Sequence, residues 1–570
     1  MARREPMSSV DRSWLLMDRP TNRMVINGFW LFKEPVDYQQ ALATLEERLL
    51  IHDRFRQRVV EPKGLAGRAY WEEDPHFDIR AHVRHIALPA PGDKAALQEL
   101  MAELIADPLD RSRPLWMFYI IDNYEGGNVL FGRIHHCIGD GAALVNVLLS
   151  LSDPTAENSW DAEAMKRKRR RGGLLRGLVK RTLGAASTAF GLGETVLAEG
   201  LRSLSNPEHL LDLLAQGGHL TGQTAQVLAK LALMTADDKT VFKGELGVAK
   251  RVAWSEPIPL DDVKLVKNVM GATVNDVLVA ALAGGLRRYM LSRDDRPEGK
   301  EVRAMVPVNI RGREEPVSMG NKFALVYLDL PVGIADPLDR LFEVKRRMDH
   351  IKASPEAFIT YQIIAGLGRA PGEMASVITE YFASKASAVL TNVPGPTQKL
   401  YFAGKRFDTM VFWVPQSGSI GMGLSIYSYG GEVTIGVITD EGLVPDPDGI
   451  VQGFVDEFQE LLELARLPED EAAKARREQA RARALEVQEI PISQEESEEA
   501  TAALAQDLLR QLEELKQTAA AAEAAAQPTP AQPSSTEPQR ERCQALTKAG
   551  RPCRNWPLPG SHYCRMHQPS

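Results

Sequence analysis

Ile134-His135-His136-Cys137-Ile138-Gly139-Asp140-Gly141 carries the spacing HHxxxDG. An apolar, extended-type run precedes it at 128–134, and an apolar run of helical type follows at 142–151. This order predicts a strand, a tight loop and a helix start, with a histidine pair at the end of the strand. Neighbouring strand residues point to opposite faces, so His135 and His136 should not share one ligand. One should face a cavity and the other pack behind it. An imidazole titrates near neutral pH and can serve as a general base. Asp140 can turn back to orient the loop or pair with an arginine, Arg12 and Arg303 being guesses for that partner. Gly141 permits a sharp entry into the helix. Cys137 reads as a small packing residue rather than a nucleophile, because nothing in its surroundings marks a thiolate.

Working outward, residues 116–121 and 129–134 read as strands joined by turn chemistry at Glu125-Gly126-Gly127-Asn128, a hairpin that delivers the histidines. Upstream, 25–32 is extended, while 38–51 and 95–105 carry helical apolar spacing. A second α/β half follows. In it 273–290 is a buried helix, 302–308 and 323–330 are strands, and Gly430-Gly431 joins two more strands as a hairpin turn. Residues 450–464 form a closing helix. The organisation is thus an N-terminal half at 1–152, a basic, amphipathic connector at 153–245 and a C-terminal half at 246–467. A charged helical segment at 468–526, a Pro/Ser-rich disordered linker at 527–541 and a small cysteine-rich module at 542–570 complete the chain.

At 570 residues the chain is too long for a single core. Its 44% hydrophobic and 25% charged residues are those of a soluble globular protein. A net charge of −8 argues against nucleic acid as the main ligand. The N-terminus shows no signal-peptide core, and no run reaches the ~18–20 apolar residues of a membrane span. These features place the protein in the cytoplasm. The basic run 166–171, followed by Leu174, Leu175 and Leu178 near Arg176, Lys180 and Arg181, reads as a solvated connector or as a surface helix for anionic lipid.

Three of the four cysteines sit near the C-terminus. Cys543, Cys553, Cys564 and His567 offer a Cys3His donor set suited to a structural zinc ion. So short a segment has little core of its own, and a metal would supply its folding energy. The stretch also resembles small zinc modules appended to varied bacterial proteins.

Further ordered motifs carry a family resemblance: Ser9-Val10-Asp11-Arg12, Arg54-Phe55-Arg56-Gln57-Arg58, Pro114-Leu115-Trp116, the histidine loop, Asn275-Asp276, Pro307-Val308-Asn309-Ile310-Arg311, Gly320-Asn321-Lys322 and Thr391-Asn392-Val393-Pro394-Gly395-Pro396. Together these resemble the bacterial wax ester synthase/diacylglycerol acyltransferase family, within the CoA-dependent acyltransferase superfamily. The resemblance implies an α/β fold of two chloramphenicol-acetyltransferase-like halves with a tunnel between them. It implies His136 as general base, with His135, Asp140 and Gly141 completing the motif and Asp140 structural. The implied reaction moves a fatty acyl group from acyl-CoA to diacylglycerol or a long-chain alcohol, with no catalytic cofactor. The implied setting is peripheral, on the inner membrane face or a lipid droplet. Trp116, Asn275, Asp276 and Asn392 become candidates for lining the tunnel. On residue chemistry alone, Trp116 anchors a hairpin in the core, and Asn275 and Asp276 suit the first turn of a helix. Two alternatives stay open: another acceptor (an amine, a sugar or a carrier-bound group), or an inactive lipid-binding scaffold.

Overall fold

The hairpin that carries the histidines turns on Glu125-Gly126, whose φ angles are +47° and +82°. Two successive positive φ values match the twist of the flanking strands, as in a type I′ turn. The turn is therefore shorter than the four-residue turn predicted, because Gly127 and Asn128 already belong to the second strand and Tyr124 pairs with Gly127. The predicted Gly-Gly hairpin is present as expected, with φ of +59° at Gly430 and +83° at Gly431.

The computed structural model describes residues 4–61, 69–157, 230–310 and 319–486 (apart from 232, 355, 369–371 and 469), together with 510, 544 and 545. The chain divides into two compact units, Met1–Leu512 and Glu513–Ser570, and every element below lies in the first. The N-terminal half contains β1 (Arg4–Pro6), α1 (Ser9–Met17), β2 (Val25–Phe32), α2 (Tyr38–Arg48), β3 (Gln57–Val60), β4 (Tyr70–Glu73), β5 (Val83–Ala87), α3 (Lys94–Ala106), β6 (Trp116–Tyr124), β7 (Gly127–His135) and α4 (Gly141–Leu151). The C-terminal half begins with β8 (Lys250–Trp254), β9 (Ile258–Pro259), α5 (Leu260–Met270), α6 (Val274–Ser292), β10 (Val302–Asn309) and β11 (Phe323–Leu330). Three helices follow: α7 (Pro337–Ala353), α8 (Glu356–Leu367) and α9 (Gly372–Ser384). Then come β12 (Ala388–Pro394), β13 (Tyr401–Phe402), β14 (Lys405–Arg406), β15 (Thr409–Trp413), β16 (Met422–Tyr429), β17 (Glu432–Asp440), α10 (Asp448–Arg466) and α11 (Glu471–Glu486).

Each half is built on its own sheet. The N-terminal sheet runs β15-β2-β7-β6-β5, and the C-terminal one runs β11-β10-β12-β16-β17-β8 with β9 beside β17. Strand β15 is the exception to the order of the halves. It comes from the C-terminal half, yet it pairs along β2, Trp413 opposite Asn27 and Thr409 opposite Leu31. The apolar side chains there explain the crossing. Phe29, Trp254 and Trp413 meet within one core, Phe29 and Trp254 with ring centroids 4.9 Å apart, so this strand buries its apolar face between the halves.

Helix starts follow cap chemistry. Asp37, Asp93 and Asp140 accept from backbone N–H groups at the starts of α2, α3 and α4, and Thr273 with Asp276 forms a full capping box on α6. The predicted helix at 38–51 stops at Arg48, where Leu49 takes the cap position. Helix α6 is buried along most of its length, and Gly285 lets α10 approach so closely that a Cβ there would stand 2.6 Å from the Phe454 nitrogen. No single described helix is long and apolar enough to cross a membrane. Within the charged segment after 467, α11 packs on the C-terminal half: Ala480 and Ala484 join its core, and Arg476 and Arg483 each lie 2.8 Å from a carboxylate of the α7 start, Asp336 and Asp339. Small alanines on a charged helix hide this face from a periodicity reading. Of the connector at 153–245, residues 158–229, with the basic run, lie outside the described residues.

Candidate functional site

Strand β7 ends at His135, which pairs opposite Val25 of β2. His135 is 2% exposed; its Nδ1 accepts the Cys137 N–H at 3.2 Å, and its Nε2 is buried with no partner. Burial pushes its pKa down to about 3, so it is neutral at physiological pH. This is the histidine packed behind the loop. Burial also drives the Cys137 thiol well above its usual range, which keeps it protonated.

His136 turns the other way. Its backbone N–H donates to the Met24 carbonyl at 2.8 Å, and its ring stacks on Trp14 with centroids 4.3 Å apart and planes at 21°. Phe323 lies beyond, 5.5 Å from the imidazole. The Nδ1 atom is 2.9 Å from Oδ1 of Asn321. The Asn321 amide nitrogen donates to Oδ1 of Asp11 and to the His136 carbonyl, both at 2.8 Å. Burial lowers the His136 pKa, while the ring's hydrogen bond to its own backbone, then Asp140 and the Asn321 bond, act in the opposite direction. Asp11 is itself buried on α1, and burial raises its pKa against the hydrogen bonds from Asn321 and Ser8.

Three consecutive N–H groups before β11 grip the N-terminal half. Gly320 donates to the Ile138 carbonyl (3.2 Å), Asn321 to Asp11 (3.0 Å) and Lys322 to Asp140 Oδ2 (2.9 Å). Gly320 has φ +101°, a backbone shape that side chains rarely adopt. Asp140 also caps α4 through the Ala143 N–H at 3.0 Å. Of the two guessed arginines, Arg303 binds Asp329, and Arg12 donates to the Gly368 carbonyl at 2.9 Å. Arg303 is drawn off because Asp329 stands directly opposite it in the β10–β11 register. Gly141 has no left-handed φ, and a Cβ there would meet only Val393, at 3.8 Å, so the sharp helix entry comes from the Asp140 cap instead.

The remaining candidates fall in two places. Asn392 donates to Asn275 Oδ1 at 2.5 Å, tying the end of β12 to the start of α6, and Val393 next door abuts the histidine loop at Gly141. Asp276 is fully buried in its capping box. Trp116 is fully buried too; its indole N–H donates to the Phe55 carbonyl at 2.9 Å, which makes it a core residue. Asp11, Trp14 and Asn321 carry no role in the sequence reading, although two lie in its motifs. The available signal is the Ser8-to-Asp11 spacing of a helix start, which puts Asp11 and Trp14 on one helical face. A groove at the seam of the halves is lined by Arg23, Val25, Asn27 and Ile105 on one side and Lys250 and Gln416 on the other; His136 is not in its lining. Cys543, Cys553, Cys564 and His567 lie outside the described residues, among which no cluster fit to hold a metal occurs.

The chain is similar to known proteins in sequence and in fold. The family model for the wax ester synthase/diacylglycerol acyltransferase catalytic domain matches residues 7–278, and that for the WS/DGAT C-terminal domain matches 319–462. A protein of Mycobacterium tuberculosis (strain CDC 1551 / Oshkosh), named as a diacylglycerol O-acyltransferase, is 30% identical over 442 residues, covering 75% of this chain and 83% of that protein. A second, from strain H37Rv and similarly named, is 28% identical over 456 residues, covering 78% of this chain and 92% of its own. The structure of a wax ester synthase/diacylglycerol acyltransferase from Marinobacter aquaeolei VT8 superposes with a TM-score of 0.57 at 21% identity, covering 81% of this chain and 100% of that one, a likeness of fold. With a histidine loop held between two such halves, the chain belongs to the wax ester synthase/diacylglycerol acyltransferase family.

Proposed function

We propose that this protein transfers a fatty acyl group from acyl-CoA to diacylglycerol, to a long-chain alcohol, or to both, with Nε2 of His136 as the general base. The observation that carries the assignment is the Asn321 contact at Nδ1, which occupies one ring nitrogen and leaves the other for a substrate proton. The names of the mycobacterial relatives support acyl transfer to diacylglycerol. Neutral His136 takes the acceptor's hydroxyl proton as the oxygen attacks the thioester carbon. A tetrahedral oxyanion forms; its collapse breaks the C–S bond, and the imidazolium returns the proton to the leaving thiolate. General base catalysis supplies about 10²–10⁴-fold, and alignment of the two substrates much of the rest. No acyl-cysteine is needed, and the protonated, fully buried Cys137 is ill suited to form one. Asp140 serves as the structural cap of the loop, and the Asn275–Asn392 pair would border a tunnel between the halves at 1–152 and 246–467. Apolar acceptors would be met at a membrane or droplet surface.

The test is release of CoA thiol from palmitoyl-CoA with dioleoylglycerol or hexadecanol. His136→Ala should abolish it in a folded protein; full activity in that variant refutes the base. Turnover of neither acceptor by the wild type would favour a different acceptor.

We also propose a structural zinc ion on Cys543, Cys553, Cys564 and His567, supported by the donor set alone. The full chain should carry about one zinc equivalent, and a chain ending at 526 none, with kcat unchanged. Equal metal content in both would sink the assignment.

A further inference from the structure

We infer that Asp11 and Asn321 are positioning residues that fix His136 in the tautomer its role demands, so that the base is completed only where the two halves meet. The inference rests on the reading of His136 as the base.

The argument begins with the amide. An amide has one accepting and one donating end, and its orientation follows from its neighbours. Asn321 sits between a carboxylate, a backbone carbonyl and an imidazole nitrogen. The first two can only accept, so the NH2 end faces them. The oxygen then faces Nδ1, which must carry the proton. Flipping the amide would set its oxygen against two other oxygens, and moving the proton to Nε2 would set two lone pairs face to face. Asp11 therefore reinforces one His136 tautomer through Asn321, alongside the ring's bond to its own backbone, and Nε2 retains its lone pair. His136 Nε2 makes no hydrogen bond to the described residues and is absent from the buried unpartnered atoms.

The same contacts favour the charged ring formed during transfer. The Nδ1–H to oxygen bond strengthens once the imidazole gains a proton, and the stacked Trp14 face attracts that charge. Asp11 and Trp14 lie three residues apart on α1, while Asn321 arrives from the C-terminal half on the three-residue clamp at 320–322. One helix and one loop, from opposite ends of the catalytic region, thus meet on a single imidazole.

The experiment uses the full chain, palmitoyl-CoA and dioleoylglycerol. Asn321→Ala and Asp11→Ala should each lower kcat about 10–100-fold, the range for residues that orient a reacting group's partner, with KM changed less than about twofold. Asn321→Asp sets a second carboxyl against Nδ1 and beside Asp11; the two share one proton, and the remaining charge at Nδ1 should move the acid limb of the pH profile up, while Asp140 and His135, the other titratable groups beside the ring, are unchanged. The near-isosteric Asn321→Asp keeps the test decisive if Asn321→Ala does not fold. Wild-type kcat in folded Asn321→Ala and Asp11→Ala, with His136→Ala inactive, overturns this inference alone. So does a folded Asn321→Asp variant whose acid limb does not move. An active His136→Ala overturns the base and the inference together.

Discussion

Gly368→Ala tests whether α1 must lie where it does for the site to work. Gly368 follows α8, and its carbonyl receives the Arg12 guanidinium. A Cβ on Gly368 would stand 1.6 Å from the Ser9 carbonyl oxygen and 3.1 Å from the Ser13 nitrogen. Real Cβ atoms keep at least 3.0 Å from such neighbours, so α1 must retreat by the difference, about 1.4 Å. Both atoms are backbone, and no side-chain rotation relieves the clash. The Asn321–Asp11 bond is 2.8 Å long, and a retreat of that size along it takes it beyond hydrogen-bond range. The Trp14 stack opens with it. Overpacking of this kind costs about 1–3 kcal/mol of stability, and a displacement near 1 Å at a catalytic group costs about 10²-fold in rate. Urea unfolding and thiol release from palmitoyl-CoA measure the two effects separately. Gly372→Ala is the control, because nothing lies within 4 Å of a Cβ there. If Gly368→Ala loses stability but keeps wild-type kcat, the rate does not depend on where α1 lies, and the claim that α1 holds the base is wrong.

Two further outcomes follow from buried charge. His135 has a folded-state pKa near 3 and an unfolded value near 6.5, so between those pH values the unfolded chain holds a proton that the folded chain lacks. Stability must therefore fall as pH drops through that window, by about 2 kcal/mol between pH 6.5 and 5 from this group. Asp11, with a raised pKa, acts in the opposite direction, so the comparison is made against His135→Gln, whose urea-measured stability should fall less over the same range; parallel curves would disprove the assignment. Arg48 and Asp153 form a 2.9 Å ion pair with side chains 2% and 6% exposed, joining α2 to the end of α4. Asp153→Ala should cost about 3–5 kcal/mol, and Arg48→Met/Asp153→Leu should recover much of it, because a lone buried charge is worse than none. A loss under 1 kcal/mol in the single variant would show that water reaches the guanidinium.

Local chemistry in the chain determined the histidine loop, its hairpin, the helix starts and the alternation that sends His135 and His136 to opposite faces. Each depends on residues a few positions apart: a turn that needs positive φ, a cap three residues from its donor, a strand period of two. That Asp140 turns back to orient the loop was legible too; its place as the cap of α4 came only with the structure. What the chain could not reveal alone was which distant residues serve the imidazole. Asn321 is 185 positions from His136 and 310 from Asp11, and no periodicity links them. The crossing of β15 into the first sheet was likewise decided by tertiary packing, because its aromatic residues suit either sheet until Phe29 and Trp254 offer a shared core. Secondary structure is written at short range by backbone and cap energetics; the tautomer of one histidine is settled only when an amide and a carboxylate from far along the chain close around it.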